Sequence, residues 1–583
     1  MTDVTNSVPA LVVEHAQRNP RGEAVRYKRH AVWRSVTWED LAARVAALAH
    51  SLKGLGVGES SLVGLLGDNC YEWIVADVAV QSLGANSLIL PRGLVAATLG
   101  SNQLDLAFCK DQGDVEDLMA GGKVPAVVVV DPVGCSTLGS AGAGSVRTLV
   151  SYDELVSAPS DTLSGADSLS GLTGTFATSG ALRVDAAARS AAVVSRLTAA
   201  ELHAAAQIGA QWLELSERDR VFCAAPFSNA SSYFVDVYAA LFAGTTICLP
   251  ETALSLLADL REAQPTVLCL PSRGLDLLRT TSEGRAARST RGRAWVCRTA
   301  MRRLRTRVVE GRVIAARSSA AYALVGSFVR RQLGLRNTRR IVAFGAPVGE
   351  ETRVFLASLG VPAIAAYGNA GTRGLVVAGN DGTAGDLVSP LPGLRARVRA
   401  DRHLDISWET SGQRWLDTGL TVNPADASTF RLIGARDDEF EVNGAVVAPE
   451  PIERALQVSP LVRHAVVVEH QGALAALLEL DIDAVRSWAR EQGVPGGSLQ
   501  ALGEHRLVRR ELWELVGRVN TESGRTAGFA IAVALPLPRQ LSEQDGELDP
   551  VHRPVRVTIE QNFADCLPTG ITAAEWDVAG SHA

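Results

Sequence analysis

The chain is predicted to fold as an α/β protein, with a large N-terminal α/β lobe and a small C-terminal α+β domain. Two observations carry this. Up to about residue 434, short apolar runs of strand length alternate with segments of helical periodicity, the pattern of a sheet covered by helices. From about residue 435 the texture changes to a compact mixture of strand-like and helical pieces that ends near 560. The length of 583 residues agrees with two lobes, because single cores stop growing near ~250–300 residues.

In chain order, SVTWEDLAARVAALAHSLKGLG (35–56) has an acidic first turn, apolar residues at helical spacing and a glycine stop, and predicts a helix. SSLVGLLG (60–67) predicts a buried strand and YEWIVADVAVQSLGA (71–85) a helix; NSLILP and PAVVVVD (125–131) predict further buried strands. The Gly/Ser/Ala-rich stretch 134–174 predicts long loops. Alternation resumes with RDRVFCAAP (218–226), TTICLP (245–250), TVLCLP (266–271), RRIVAFGAP (339–347) and PAIAAYG (362–368). The basic stretch 285–312 has no interleaved aromatic beyond Trp295, so its arginines read as a solvated helix face and not as a nucleic-acid patch. PEPIERALQVSP, HAVVVEH, ALAALLELD and SWAREQG build the C-terminal α+β pattern. Residues 566–583 show no periodicity and are expected to form a mobile tail.

Hydrophobic residues make up 47 % and charged residues 21 %, ordinary for a globular protein, and the net charge of −6 gives no electrostatic reason to expect nucleic acid as a partner. The N-terminus lacks a basic segment before an apolar run, and no stretch of about 18 uninterrupted apolar residues occurs, so neither a signal peptide nor a membrane span is expected. The eight cysteines are scattered, mostly in apolar strings, with no CxxC pair. They read as reduced core residues, and the protein is expected to be cytoplasmic. The ten histidines show no metal spacing, and no metal site is expected. Of 57 basic residues, 53 are arginine, and no lysine follows Lys123.

Three passages stand out: SVTWEDLAARVAALAHSLKGLGV, VAFGAPVGEETRVFLASLGVPAIAAYG and GARDDEFEVNGAVVAPEPIERALQVSPLVRHAVVV, closed by GELDPVHRPVRVTIEQNF. In this order, from about residue 9 to 563, the chain resembles the adenylate-forming (AMP-binding) superfamily, in its long-chain acyl-CoA synthetase or fatty-acid-CoA ligase branch. The resemblance implies an acyl-CoA-synthetase-like core over 1–434, a hinge at 435–438, a mobile C-terminal domain over 439–565 and the tail 566–583. It also implies ATP, Mg and CoA as cofactors, with an acyl group passed from an adenylate to coenzyme A.

The motifs that would carry this chemistry are altered. Of the phosphate loop TSGTTGxPKG, Thr178, Ser179 and Gly180 match, but the second glycine and the lysine are missing, leaving Arg183 or Arg189 as the charge. Of YGxTE, Tyr367 and Gly368 match, while Ala370 stands for the threonine and Gly371 for the glutamate that helps hold magnesium. Thr372 follows one register too late. Of WLxTGD, Trp415, Leu416, Thr418 and Gly419 match, with Leu420 in place of the ribose-binding aspartate. Asp417 is expected to point elsewhere if the segment is a strand. In the hinge motif GRxKD, Ala435 replaces the arginine; Arg436 either substitutes by a one-residue shift or is an exposed linker charge. His552 and Arg553 lie near the position of the catalytic lysine and are the catalytic candidates.

The acyl side is less altered. APFSNASSYFVDVYAALFAGTT (225–246) resembles the passage that lines the acid tunnel, and Asn229, Tyr233, Gly345 and Ala346 are the acyl-side candidates, although core packing explains Tyr233 equally well.

Three readings stay open from the sequence. The first is a divergent homologue that binds an acyl or carboxylate ligand, free or as a CoA or carrier-protein thioester, has lost adenylation, and performs an ATP-independent acyl transfer, condensation or cyclisation or no chemistry. The second is a non-catalytic pseudoenzyme that regulates or scaffolds a protein partner. The third is a working ligase with arginines in place of the missing groups.

Overall fold

The structure is a computed structural model. It describes residues 7–92, 95–99, 103–121, 124–133, 135, 148–157, 180–185, 193–252, 255–288, 299, 303, 325–344, 348–379, 387–408, 414–442, 445–527, 530–542, 545–548 and 554–568. Among the described residues the large lobe is built on two sheets. The first has 13 strands, whose centre is parallel: Glu23–Arg29, Thr246–Leu249, Arg220–Cys223, Val267–Pro271, Arg340–Phe344 and Ala363–Asn369 lie side by side in that order. From Ala363–Asn369 it continues antiparallel through Gly374–Gly379, Leu387–Pro390, Phe430–Ala435, Leu416–Pro424, His403–Trp408 and Leu394–Val398.

The second sheet has seven strands and includes the predicted Leu62–Leu66, Asn86–Leu90 and Ala126–Val129. Side chains from both sheets meet in one core, where Val63, Leu65 and Ile89 join Val221, Ile247 and Val267. The helix Tyr71–Ser82 belongs to this layer, and every one of its residues is buried. Its sequence, apolar nearly all round, suits a helix covered on all sides. The preceding helix, Trp38–Gly54, starts at a capping box formed by Thr37 and Asp40.

The C-terminal domain is a three-stranded sheet, Val462–His470, Ala473–Leu480 and Ile531–Pro536. Leu478 and Val516 pack on one of its faces, Val466, Leu477 and Ile559 on the other. Gly434 and Ala435 still belong to the strand Phe430–Ala435, and Arg436–Asp438 form a 3-10 turn.

Two predictions of loop need correction. Thr148–Ser151 is a strand and Tyr152–Ser157 a helix inside the stretch read as long loops. The strand adds to the edge of the second sheet beside Ala126–Val129, and Tyr152 and Leu155 are buried. Gly180 opens the strand Gly180–Asp185, fixed by pairing with Asn86 on one side and Thr198 on the other. Most of 285–312 and of the tail 566–583 lies outside the described residues. Cys70, Cys109, Cys135, Cys223, Cys248 and Cys269 are buried free thiols, and Cys566 is free and exposed. Among the described residues no helix is long and apolar enough to cross a membrane.

Candidate functional site

The strand Arg220–Cys223 sits at a topological switch. The chain leaves it for Thr246–Leu249 on one side and then continues in Val267–Pro271 on the other. In open α/β sheets ligands bind in the crevice outside the carboxyl ends of the strands at such a point. The segments that converge here are the residues after Cys223, the turn after Ala363–Asn369, and the start of Leu416–Pro424. Ser231 donates to the Gly368 carbonyl at 2.6 Å, tying the first to the second. Asn369 Nδ2 donates to the Thr418 carbonyl at 3.1 Å, tying the second to the third. The sequence candidates Tyr367, Gly368, Thr418 and Asn229 are therefore brought to one place.

The polar atoms of the turn after Gly368 and of Thr418, however, are bound within the protein. In the turn after Gly368, the Thr372 N–H donates to Asn369 Oδ1 at 2.7 Å and the Asn369 N–H to Thr372 Oγ1 at 2.9 Å. The Thr372 hydroxyl lies 3.0 Å from the Gly374 carbonyl, and the residue is fully buried. Thr418 Oγ1 donates to the Leu404 carbonyl at 2.7 Å and accepts from the Leu420 N–H at 3.2 Å. The Tyr367 ring is buried with Val377, Leu404 and Val422. Gly368 is required by space, since a Cβ there would stand 2.0 Å from the Gly374 carbonyl oxygen.

The altered positions lie in the same place. Ala370 is fully buried. A Cβ on Gly371 would meet Asn369 Oδ1 at 3.3 Å and Ser195 Oγ at 3.6 Å, a tight fit for any side chain. Leu420 and Ala435 are partners across the strand ladder. Arg373, next to the turn, holds a left-handed φ of 67°, pairs with Glu201 at 2.6 Å and lies over the Trp408 ring. Burial lowers its guanidinium from the usual value, with Glu201 opposing.

Arg436 makes an ion pair with Asp417. Asp417 also receives Arg399 at 2.7 Å and the Gly419 N–H at 2.8 Å. Burial pushes the Asp417 carboxyl up, but the Gly419 N–H, Arg399 and Arg436 outweigh it and hold the group below its usual range. Of the two openings the sequence left for Arg436, substitute ligand group or linker charge, neither includes this partner.

On the acyl side, Asn229 caps the short helix Ala230–Tyr233, its Oδ1 accepting from the Ser232 N–H at 3.0 Å. Tyr233 is fully buried, and its hydroxyl donates to Asp77 Oδ2 at 2.9 Å. Tyr238 donates to the same oxygen at 2.8 Å, Gln81 donates to Asp77 Oδ1 at 3.0 Å, and Ser87 also binds Oδ1. Sequence reasoning missed this hub, whose signal was a polar Asp77 and Gln81 inside the mainly apolar stretch of the helix Tyr71–Ser82. It also missed the lock made by Asn369. Thr178, Ser179, Gly345, Ala346, His552 and Arg553 lie outside the described residues. The connection 186–192 between the strands Gly180–Asp185 and Val193–Thr198 also lies outside them; in sequence it holds Arg189 and neither glycine nor lysine. Among the described residues no three His, Cys, Asp or Glu side chains form a metal-binding group.

Comparisons with known proteins fit this architecture. The family model described as AMP-binding enzyme matches residues 12–101 and 192–411, more than half of the chain. The long-chain-fatty-acid–CoA ligase FadD15 of Mycobacterium tuberculosis is 25 % identical, with 96 % of each chain covered. Among solved structures, the adenylation domain of the carboxylate reductase of Mycobacterium chelonae has a TM-score of 0.71 at 14 % identity, covering 96 % of this chain and 90 % of that one. The A domain of the carboxylic acid reductase of Segniliparus rugosus, in complex with AMP and a co-purified carboxylic acid, has a TM-score of 0.70 at 14 % identity, covering 97 % and 94 %. With its switch-point strand order, its large two-sheet lobe and its small C-terminal domain, the chain belongs to the AMP-binding enzyme family.

Proposed function

We propose that this protein uses its crevice to bind an acyl or carboxylate-type ligand and no longer makes an acyl-adenylate. The observation that carries the reading is the self-satisfied turn Asn369–Thr372 together with Thr418, whose hydroxyls and amides are bound inside the protein. The described side chains do not fit Mg–ATP. Gly371 and Leu420 carry no oxygen for a metal or a ribose, and Arg436 is paired with Asp417. Charge-assisted hydrogen bonds contribute ~1.5–3 kcal/mol each, so losing several removes most of the affinity a nucleotide would gain.

The carboxylic acid named with the Segniliparus rugosus structure supports an acid as the ligand class. Any acyl transfer here would draw on a preformed thioester, of coenzyme A or of a carrier protein, which needs no ATP.

Calorimetric titration with Mg–ATP, followed by a panel of fatty and aryl carboxylic acids, tests the reading. Heat from an acid and none from millimolar Mg–ATP is expected. Saturable Mg–ATP binding, or acid-dependent pyrophosphate exchange, overturns it.

A further inference from the structure

Two buried carboxyl groups lie near the acyl-side candidate Tyr233, and they are treated differently. Asp77 is met by the side chains of Tyr233, Tyr238, Gln81 and Ser87. Asp236, three residues beyond Tyr233, is 1 % exposed, and neither of its carboxyl oxygens meets an N–H or O–H donor; the Cys269 thiol, a weak donor, is the group bonded to it. Buried polar groups are nearly always satisfied, so an exception calls for a reason.

Its placement supplies one. Asp236 lies in the middle of a π-helical turn, Phe234–Tyr238, a rare element that recurs at functional sites. Its own carbonyl accepts from the Cys223 thiol at 3.4 Å, and the Cys269 thiol lies beside its carboxyl. Cys223 and Cys269 are directly opposite each other on Arg220–Cys223 and Val267–Pro271. Asp236 therefore stands over the seam between the two strands that define the switch point, just inside their carboxyl ends. Burial pushes its carboxyl well above the usual range, and the flanking thiols are raised likewise. Burial thus favours the neutral acid, which has one O–H to donate and oxygens that accept.

We propose that Asp236 is the specificity-determining polar group at the inner end of the acid crevice, and that it selects a ligand carrying a hydroxyl on its chain. A hydroxyl both donates and accepts, which matches a neutral carboxylic acid. A plain alkyl chain would leave the Asp236 oxygens unmet. This inference rests on the reading of the crevice as an acid site. Sites built to hydrogen-bond a substrate hydroxyl discriminate strongly against the analogue that lacks it.

The test measures binding of dodecanoate and of a positional series of hydroxydodecanoates to the full chain and to its Asp236→Leu and Asp236→Asn variants. At least one hydroxydodecanoate is expected to bind the wild-type chain about tenfold or more tighter than dodecanoate. Asp236→Leu is expected to abolish that preference, and Asp236→Asn to keep part of it. If Asp236→Leu does not fold, the comparison with Asp236→Asn still reports. Equal binding of plain and hydroxylated acids, or an unchanged preference in both variants, overturns the inference and leaves the acid site standing. Failure of every acid to bind overturns the acid site and the inference with it.

Discussion

On the Tyr367 side of the crevice, Asn369, Thr372 and Thr418 close their hydrogen bonds within the turn and on the backbone around it, whereas on the Tyr233 side Asp236 is buried with only the Cys269 thiol against its carboxyl. The first arrangement is what a scaffold looks like: each polar atom stabilises a turn or a strand end. The second is destabilising by itself, since a buried carboxyl with so little hydrogen bonding costs free energy that the fold must supply elsewhere. The difference teaches that nearness to the switch point does not make a residue available to a ligand. What separates Asn369, Thr372 and Thr418 from Asp236 is how far the hydrogen-bonding capacity is already filled.

The largest effect expected in breaking this comparison comes from Asp77. Asp77→Ala leaves four donors without their acceptor in a dry core, and a loss of about 3–4 kcal/mol is expected from urea unfolding. A loss below about 1 kcal/mol would mean that the hub does not hold the helix Tyr71–Ser82 in place.

Asp236→Leu should act in the opposite direction. Replacing an unmet buried carboxyl by an apolar side chain is expected to raise stability by about 1–2 kcal/mol at pH 8. The pH sign follows from its raised folded value. The unfolded chain loses this proton near pH ~4 while the folded chain keeps it, so the wild-type penalty grows as pH rises above that point. The gain should therefore shrink toward pH 4. Unfolding midpoints of both proteins at pH 4.5 and 8 would show it, and a gain that grows in acid would contradict it.

A smaller loss, about 1 kcal/mol, is expected for Asn369→Ala, which removes the acceptor of the Thr372 N–H and the donor to Thr418. If the turn is scaffold, ligand binding is unchanged once the folded fraction is corrected for. A change in nucleotide affinity would instead make the turn part of a site.

The smallest effect belongs to Asp417→Asn. The Asp417 and Arg436 side chains are 34 % and 38 % exposed, so solvent and salt screen the pair and well under ~1 kcal/mol is expected at neutral pH. The depressed Asp417 group stabilises the fold above pH ~4 and loses that contribution as pH falls through its folded value. The variant should accordingly show a shallower acid limb, most visibly at low salt.

Much of the fold could be read from the chain. The parallel strands announced themselves as short apolar runs, because a strand covered on both faces has little room for polar residues. The second sheet was only half legible. Gly180–Asp185 and Thr148–Ser151 are held by partners far away in sequence, Asn86–Leu90 and Ala126–Val129, and local pattern contains no record of such pairing.

The site shows the same limit. Motif comparison located Tyr367, Gly368 and Thr418 and the gaps at Gly371 and Leu420. It could not show that Asn369 binds both neighbours, or that Arg436 pairs with Asp417, since both depend on how a strand, a turn and the start of the C-terminal domain meet. Asp236 did leave a trace: a lone acid in the apolar run SSYFVDVYAALF. Whether such an acid has partners is a question of three-dimensional neighbours, and sequence is silent on it.

Under the function proposed here, the crevice has kept an acid site and lost its nucleotide. Isothermal titration of the ligand-free protein with millimolar Mg–ATP tests this most directly. No heat is predicted, with no shift in the unfolding temperature. Saturable binding would contradict the claim, and would show that the bonds around Asn369, Thr418 and Asp417 open to receive a nucleotide.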